Sequence, residues 1–514
     1  MSSAGTLTWF AQHECRLAWR DWLSMMTAGR RRRTRTVAIA IAAFALFMHL
    51  VAFGMVGRYA NVAADPDKLT LVVITGSALL SWSLMLSQAL ESVTRGFYAR
   101  ADLDLILSSP VIARRLFSVR IAAMAFSTVA MAMLLAAPFI DALVVRGGLR
   151  WLGAYGVVVA MGATATALAV ALTIALFHLI GPKRTRLVAQ ILAAVIGAVV
   201  VIGLQAGAIL SYGTLSRMAF LESDTVMALA PAVDSVAWWP ARAILGDFAA
   251  LAAVLAASLV VLAATILFFA PRFAHHAIAA AGISNIGARW HRGLARFRRA
   301  TPAAALRRKE WTLLRRDPWL LSQTLMQVLY LLPPALLLWR NFGGGGGTLV
   351  LLAPVLIMAA GQLAGGLAWL AISGEDAPDL IASAPVSARH VLRAKIEAVT
   401  GAIALVFAPF LAALAMAAPF GALVSAIGIL AATASATAIQ LWFRSQAKRS
   451  HFRRRQTSSR VATFAEALSS IGWAATGAVA AAGSWLAVIP GVMTLAILAG
   501  TRLISPDARS PRPR

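Results

Sequence analysis

Two stretches of this chain carry the same polar residues at the same spacing. Asp104-Leu105-Ile-Leu-Ser-Ser-Pro110-Val-Ile-Ala-Arg114 returns 275 residues later as Asp379-Leu380-Ile-Ala-Ser-Ala-Pro385-Val-Ser-Ala-Arg389. From Asp104 to Ile121, nine of eighteen positions match those from Asp379 to Ile396, far more than unrelated apolar segments share. A second echo precedes each copy, Glu14-x5-Arg20-Asp21 and Glu310-x5-Arg316-Asp317. An acid, a proline break and a base one turn into a new helix make no nucleophile–base pair and no metal-ligand set. Their chemistry is that of a rigid charged corner on which another surface can press. The duplication makes an internal repeat the first organising fact.

The remaining reactive side chains are sparse. No Gly-x-x-x-x-Gly-Lys-Ser/Thr run exists, so the chain does not bind ATP by that route. Gly343–Gly347 is followed by no lysine and reads as a flexible exterior loop. The single Cys15 excludes a disulfide framework and a cysteine metal site. His275, His276 and His291 fall in a basic segment, where histidines are normally solvated. Glu466, Asp141, His49, His178, Gln190, Gln205, Gln323 and Gln327 fall on apolar stretches. A charge at the bilayer centre costs roughly 2.5–3.5 kcal/mol. The preferred reading is hydrogen bonding between helices or proximity to an interface. A proton-coupled pathway would want several central carboxylates, and Glu466 is the one plausible candidate.

These residues must be positioned by membrane helices. The chain has 514 residues, 60% hydrophobic and 13% charged, which a soluble protein could not bury. About 20 apolar residues cross the roughly 30 Å hydrocarbon core. Twelve such stretches are expected, near 37–57, 69–90, 119–141, 152–179, 187–210 and 248–270, then 319–339, 348–372, 398–418, 421–442, 461–481 and 484–503. The fold class is therefore all-α and polytopic, with about twelve transmembrane helices in two parallel six-helix repeats.

The net charge of +27 would suggest nucleic acid but for its distribution. With the N-terminus inside, only Arg58, Lys68, Arg146, Arg150, Arg217, Arg242 and Arg340 of the 47 Lys and Arg residues fall in exterior segments. That asymmetry is the positive-inside rule, and it places both termini in the cytoplasm. Arg30–Arg33 and Arg453–Arg455 then have anionic membrane lipids as default partners, and no nucleic acid is expected. No cleavable signal peptide is apparent, and the Ala/Arg-rich composition fits a bacterial inner membrane.

The expected organisation is a cytoplasmic interfacial segment at 1–36 and a first six-span repeat at 37–271 with an exterior loop at 212–247. A basic cytoplasmic linker and interfacial helix follow at 272–317, then a second repeat at 318–504 and a tail at 505–514. Trp9, Phe10, Leu17, Trp19, Trp22 and Leu23, interleaved with charges, suit a helix lying in the interface; Leu306 to Trp319 is its counterpart. Each half has an even number of spans, so the halves enter the membrane in the same direction. In the corner, Ser109-Pro110 is expected to stop one short helix and start the next, with Ser383 or Ala384 and Pro385 in the second copy.

The six-span half, the interfacial helix before its first span and the Leu-Leu-x-x-Pro-like corner after its second resemble type-2 ATP-binding-cassette exporter permeases. The segment Lys309-Glu310-Trp311 through Arg316-Asp317-Pro318 is similar to that family's approach to span one. The closest likeness is to the fused, double-length members. The resemblance implies that Asp104, Leu105, Pro110 and Arg114, with Asp379, Leu380, Pro385 and Arg389, form coupling helices. They would dock into a separate ATPase subunit, two copies of it, which carries the ATP and Mg; no cofactor is bound directly here. It also implies an exterior gate of short re-entrant helices at Pro231, Trp238, Trp239 and Pro240, ahead of Arg242. The second half has no such loop, and its last two spans are expected to meet almost directly around Gly483. The alternatives are an ion-gradient-driven secondary transporter, which predicts intramembrane carboxylates, and a non-transporting membrane scaffold.

Overall fold

The computed structural model describes residues 34–57, 66–98, 113–212, 221–282, 301–316, 352–372, 383–443 and 460–505. It also describes residue 381 and scattered positions between 9 and 20 and between 325 and 336. Every regular element among them is helical. In the first half these are α1 (Thr34–Val56), α2 (Lys68–Tyr98), α3 (Ala113–Gly147), a 3-10 turn at Leu149–Leu152 and α4 (Gly153–Tyr212). Then come α5 (Asp224–Leu229), a 3-10 turn at Val236–Trp238, α6 (Trp239–Ile244) and α7 (Phe248–Gly282). The second half has α8 (Pro302–Arg316), α9 (Leu352–Ile372), α10 (Ala388–Ala417), α11 (Pro419–Trp442) and α12 (Arg460–Ala481). A 3-10 turn at Trp485–Ala487 leads into α13 (Val488–Ile504).

Lipid offers no partner to backbone N–H and C=O groups, so runs this apolar must satisfy them internally as helices. Among the described residues, nine helices are long and apolar enough to cross a membrane. They are α2, α3, Leu149–Gly181, Leu187–Leu210, the Phe248–Pro271 part of α7, α9, α10, α11 and Trp485–Ile504. The protein is an all-α polytopic membrane protein. α1 and α12 are also helices where spans were expected. α12 is less apolar because Glu466, Ser469, Ser470 and Thr476 lie on it. The span expected near 319–339 lies outside the described residues apart from isolated positions.

The helices overrun their apolar runs. α2 continues to Tyr98, while α3 and α10 begin at Ala113 and Ala388, well before the expected 119 and 398. Hydropathy marks where a helix meets lipid; hydrogen bonding carries the helix on into water. α7 likewise runs to Gly282 and takes His275 and His276 into its backbone, where a linker was expected.

Spans four and five are the limbs of α4, and helical geometry breaks inside it at Gly181 (φ 72, ψ 165). Positive φ suits glycine, and Pro182 follows as a helix-starting residue. A straight α4 would separate Gly162 from Gly197 by roughly 50 Å. Yet a Cβ on Gly162 would lie 3.2 Å from Met85 Cε, and one on Gly197 2.9 Å from Ser87 Oγ. Both limbs therefore pack at one level of α2, and the chain reverses at Gly181.

The chain divides into two compact units, Met1–Ala208 with Ser216–Trp290, and Ile209–Leu215 with His291–Arg514. In the first, Leu90, Phe117, Ile121, Ile174 and Phe177 form the largest buried cluster. In the second, Ile357 lies over two glycines of neighbouring helices, Gly428 of α11 and Gly477 of α12. Trp473 Nε1 donates to Ser435 Oγ at 2.8 Å. Lipid gives helices no hydrophobic reason to associate, so close approach over small residues and hydrogen bonds between helices hold them. α2 and the two limbs of α4 thus pack together, and so do α9, α11 and α12.

Candidate functional site: a capped corner and its buried anchors

The corner before α10 is built from Ser383 to Ser387. Val386 N donates to Ala384 O at 2.7 Å, folding the chain around Pro385. The helix starts later than Ser383 or Ala384 with Pro385 would allow. Its N-cap is Ser387 (φ −66, ψ 142), whose hydroxyl accepts from His390 N at 3.4 Å and lies 2.6 Å from His390 Nδ1. Serine supplies the oxygen that an orphan first-turn amide needs, and proline does not. Pro385 sits two residues ahead of that cap, outside the helix. Pro385, Ser387, Arg389 and His390 are exposed, and Val386 is half-buried. In the first half α3 begins at Ala113, the counterpart of Ala388, and Arg114 lies in its first turn. Asp104, Leu105 and Pro110, with Asp379 and Leu380, lie outside the described residues.

Behind the second corner, α8 lays one face along α10. Arg307, Glu310, Trp311 and Leu314 recur at the spacing of a single helical stripe. Arg307 Nε and Nη2 donate to the two carboxylate oxygens of Glu397, the latter at 3.2 Å, and Arg393 Nε adds a bond of 2.8 Å. The Glu397 carboxylate holds the Arg307 guanidinium still further toward its charged form. The Trp311 ring lies on Gly401, 2.9 Å from where a Cβ would stand. Glu310, 2% exposed, meets Lys395 Nζ at 3.3 Å and Lys309 Nζ at 3.2 Å. Lys395 Nζ also donates to Ala371 O in the last turn of α9. A cation at a helix C-terminus faces the negative end of its dipole and an orphan carbonyl. One buried ammonium thus ties α8, α9 and α10 together.

The first half repeats this pairing. Arg120 Nε lies 3.8 Å from Glu14 Oε1; the two residues are 1% and 7% exposed. The Arg120 guanidinium also stands 5.8 Å from the Phe117 ring centroid. Glu14 and Glu310 are the glutamates of the second sequence echo, and Arg120 and Lys395 occupy matched places in the first. The structure brings the two echoes into contact. Sequence reasoning found each echo but missed the pair, because Arg120 and Lys395 are not among the identical positions of the first echo.

The expected gate segment is three short helical pieces. Ser223 caps α5 by accepting from Val226 N, and Ser235 caps the next 3-10 turn by accepting from Ala237 N, each at 3.3 Å. Trp238 is buried beside Leu71, Val72 and Leu221, and its Nε1 donates to Ala232 O at 2.9 Å. Arg242 Nη2 donates to Val233 O at 2.9 Å. Trp238 therefore closes the loop on itself and fastens it to α2, while Pro231 and Trp239 are exposed and Pro240 opens α6. Between α12, which ends at Ala481, and the span that begins at Trp485, the chain turns at Gly483 (φ 75), as expected. Ser484 caps a 3-10 turn by accepting from Leu486 N at 3.3 Å, the same device as Ser235.

Each unit also holds an elongated apolar groove. One of about 590 Å³ runs between α10 and α11, from Ile396 and Leu441 to Leu411 and Ala426. The other, of about 430 Å³, lies beside Trp82, Thr164 and Pro240. Glu466 accepts a hydrogen bond from Gln440 Nε2, with both side chains buried. Among the described residues no group of His, Cys, Asp and Glu could hold a metal ion. No family model, no curated protein and no solved structure matches this chain.

Proposed function

We propose that the chain is the membrane-spanning permease subunit of an ATP-binding-cassette exporter in a bacterial inner membrane. It moves an unidentified substrate and makes no covalent bond itself. Twelve spans form two parallel six-helix repeats with both termini in the cytoplasm. A separate ATPase subunit, in two copies, binds ATP and Mg and docks on Asp104–Arg114 and Asp379–Arg389. Closure of the ATPases pushes each corner and switches the permease between two states open to opposite sides of the membrane. The segment from Pro231 to Pro240 gates the exterior end.

The observation that carries this reading is the buried Glu–cation anchor in each half, Glu14 with Arg120 and Glu310 with Lys395. A surface that receives force must be rigidly joined to what it moves. These pairs join Glu14 to α3 and α8 to α10, and in the second half the exposed corner at Pro385 and Ser387 lies just ahead of the pair. The secondary-transporter alternative rests on one candidate carboxylate, Glu466, which is buried and accepts a hydrogen bond from Gln440.

The test is a pull-down of the tagged protein from detergent-solubilised native membranes, with mass spectrometry of what is retained. An ATPase recovered with the wild type and lost in the double variant Asp104→Arg, Asp379→Arg is the expected result. A folded wild-type protein that retains no ATPase refutes the proposal.

A further inference from the structure

Three ionisable side chains from three spans converge in the first unit, away from the corners. His49 of α1 places Nδ1 2.7 Å from Ala45 O and Nε2 3.2 Å from Asp141 Oδ2 of α3. The other carboxylate oxygen of Asp141 accepts from the Tyr155 hydroxyl of α4 at 2.5 Å. All three residues lie within about two helical turns of the ends Val56, Gly147 and Leu149. The charge distribution assigns those ends to the exterior. His49 and Asp141 are partly exposed, 35% and 47% by side chain, so neither is sealed inside the helix packing.

Counting protons decides what the cluster is. A backbone carbonyl only accepts, so Nδ1 must carry a hydrogen. Nε2 then faces a carboxylate, and a neutral imidazole would set its lone pair against another lone pair. The geometry closes only with one more proton, either on Nε2 as imidazolium or on Asp141 as a carboxylic acid. That proton belongs to the pair rather than to one residue. Arg146 is the fixed cation nearest the site on α3; its guanidinium lies over Phe53 at 5.6 Å and against Gly57. It favours release of the proton. Arg150, in the turn after α3, stacks on Trp151 at 5.6 Å. On α1 the sequence places its one other charged residue, Arg35, near the opposite end.

We infer that His49, Asp141 and Tyr155 form a proton-binding site at the outer ends of spans one, three and four, which clasps α1 to α3 while the proton is held. Release leaves two acceptors facing each other across 3.2 Å, and the clasp opens. The ligand is a single proton exchanged with exterior water. The inference does not depend on an ATPase partner.

The experiment follows unfolding of the full chain in lipid nanodiscs between about pH 5 and pH 9. The folded site keeps a proton that free histidine loses near about pH 6.5. Stability is therefore full below that pH and falls as pH rises, by up to about tenfold in the unfolding equilibrium per pH unit, until the site itself lets go. His49→Gln and Asp141→Asn flatten this decline. Tyr155→Phe keeps imidazole and carboxylate but removes a donor from the deprotonated form, so it moves the end of the decline to higher pH. Should a His49 variant fail to fold, that shift remains the deciding readout. A wild-type profile that Asp141→Asn leaves unchanged, or an unshifted Tyr155→Phe profile, overturns the assignment.

Discussion

Lys395→Met removes the ammonium that joins α8, α9 and α10. It leaves the Glu310 carboxylate at 2% exposure and strips a donor from Ala371 O. Breaking a buried ion pair by deleting one partner costs about 3–5 kcal/mol, because the remaining charge stays desolvated. Here Lys309 remains 3.2 Å from Glu310, but a third of its side chain is exposed and solvent screens it. The expected loss is about 2–3 kcal/mol, or roughly a 30- to 150-fold rise in the unfolded fraction. Reversible unfolding of the reconstituted protein, read by proteolytic susceptibility, measures it. The informative partner is the double variant Glu310→Gln, Lys395→Met, which removes both charges and lets the introduced amide reach toward Ala371 O. It is expected to recover most of the loss, a coupling that neither single change shows. A neutral Lys395→Met, or a double variant as unstable as the sum of its singles, refutes the anchor.

Ser387→Ala deletes the cap of α10 and should cost about 1 kcal/mol, with faster amide exchange confined to its first turn. Gly428→Val places a Cβ 2.3 Å from Ile357 Cδ1 and should destabilise by about 1–3 kcal/mol; adding Ile357→Ala should recover stability. No recovery there would mean that α9 and α11 do not meet through this contact.

Much of the scaffold was legible because membrane helices obey a short list of constraints. Apolar runs of about 20 residues marked most of the helices. α12 shows where that rule thins: Glu466, Ser469 and Ser470 turn toward neighbouring helices, so hydropathy understates a segment that is nonetheless helical. The cap was misplaced for a different reason. Ser383-Ala-Pro-Val-Ser387 offers two serines around a proline, and only the backbone shows which hydroxyl meets a free first-turn amide. The anchors were illegible because an ion pair needs two addresses. Glu310 and Lys395 are 85 positions apart, Glu14 and Arg120 further still, and spacing along one helix does not report such a partnership.

The places where the halves agree and differ also bear on mechanism. Matched residues survive at the start of the third span, Ala113 with Ala388, and at the anchor, Glu14 with Glu310 and Arg120 with Lys395. The cation changed from guanidinium to ammonium and the pairing persisted, so a buried opposite charge is retained rather than one side chain. At the other end the halves diverged. One carries α5, a 3-10 turn and α6, while the other keeps only a serine-capped 3-10 turn at Trp485–Ala487. The proton site joins that contrast, because Val129, Met133 and Ala136 of α3 lead to Asp141, whereas the same register in α10 leads from Ala404, Ala408 and Leu411 to Met416. A homodimer would impose each change on both copies at once; a fused chain does not. One half can therefore acquire a titratable clasp and a folded loop while both keep the buried anchor. On this reading, equal pushes on the two corners meet unequal resistance at the exterior.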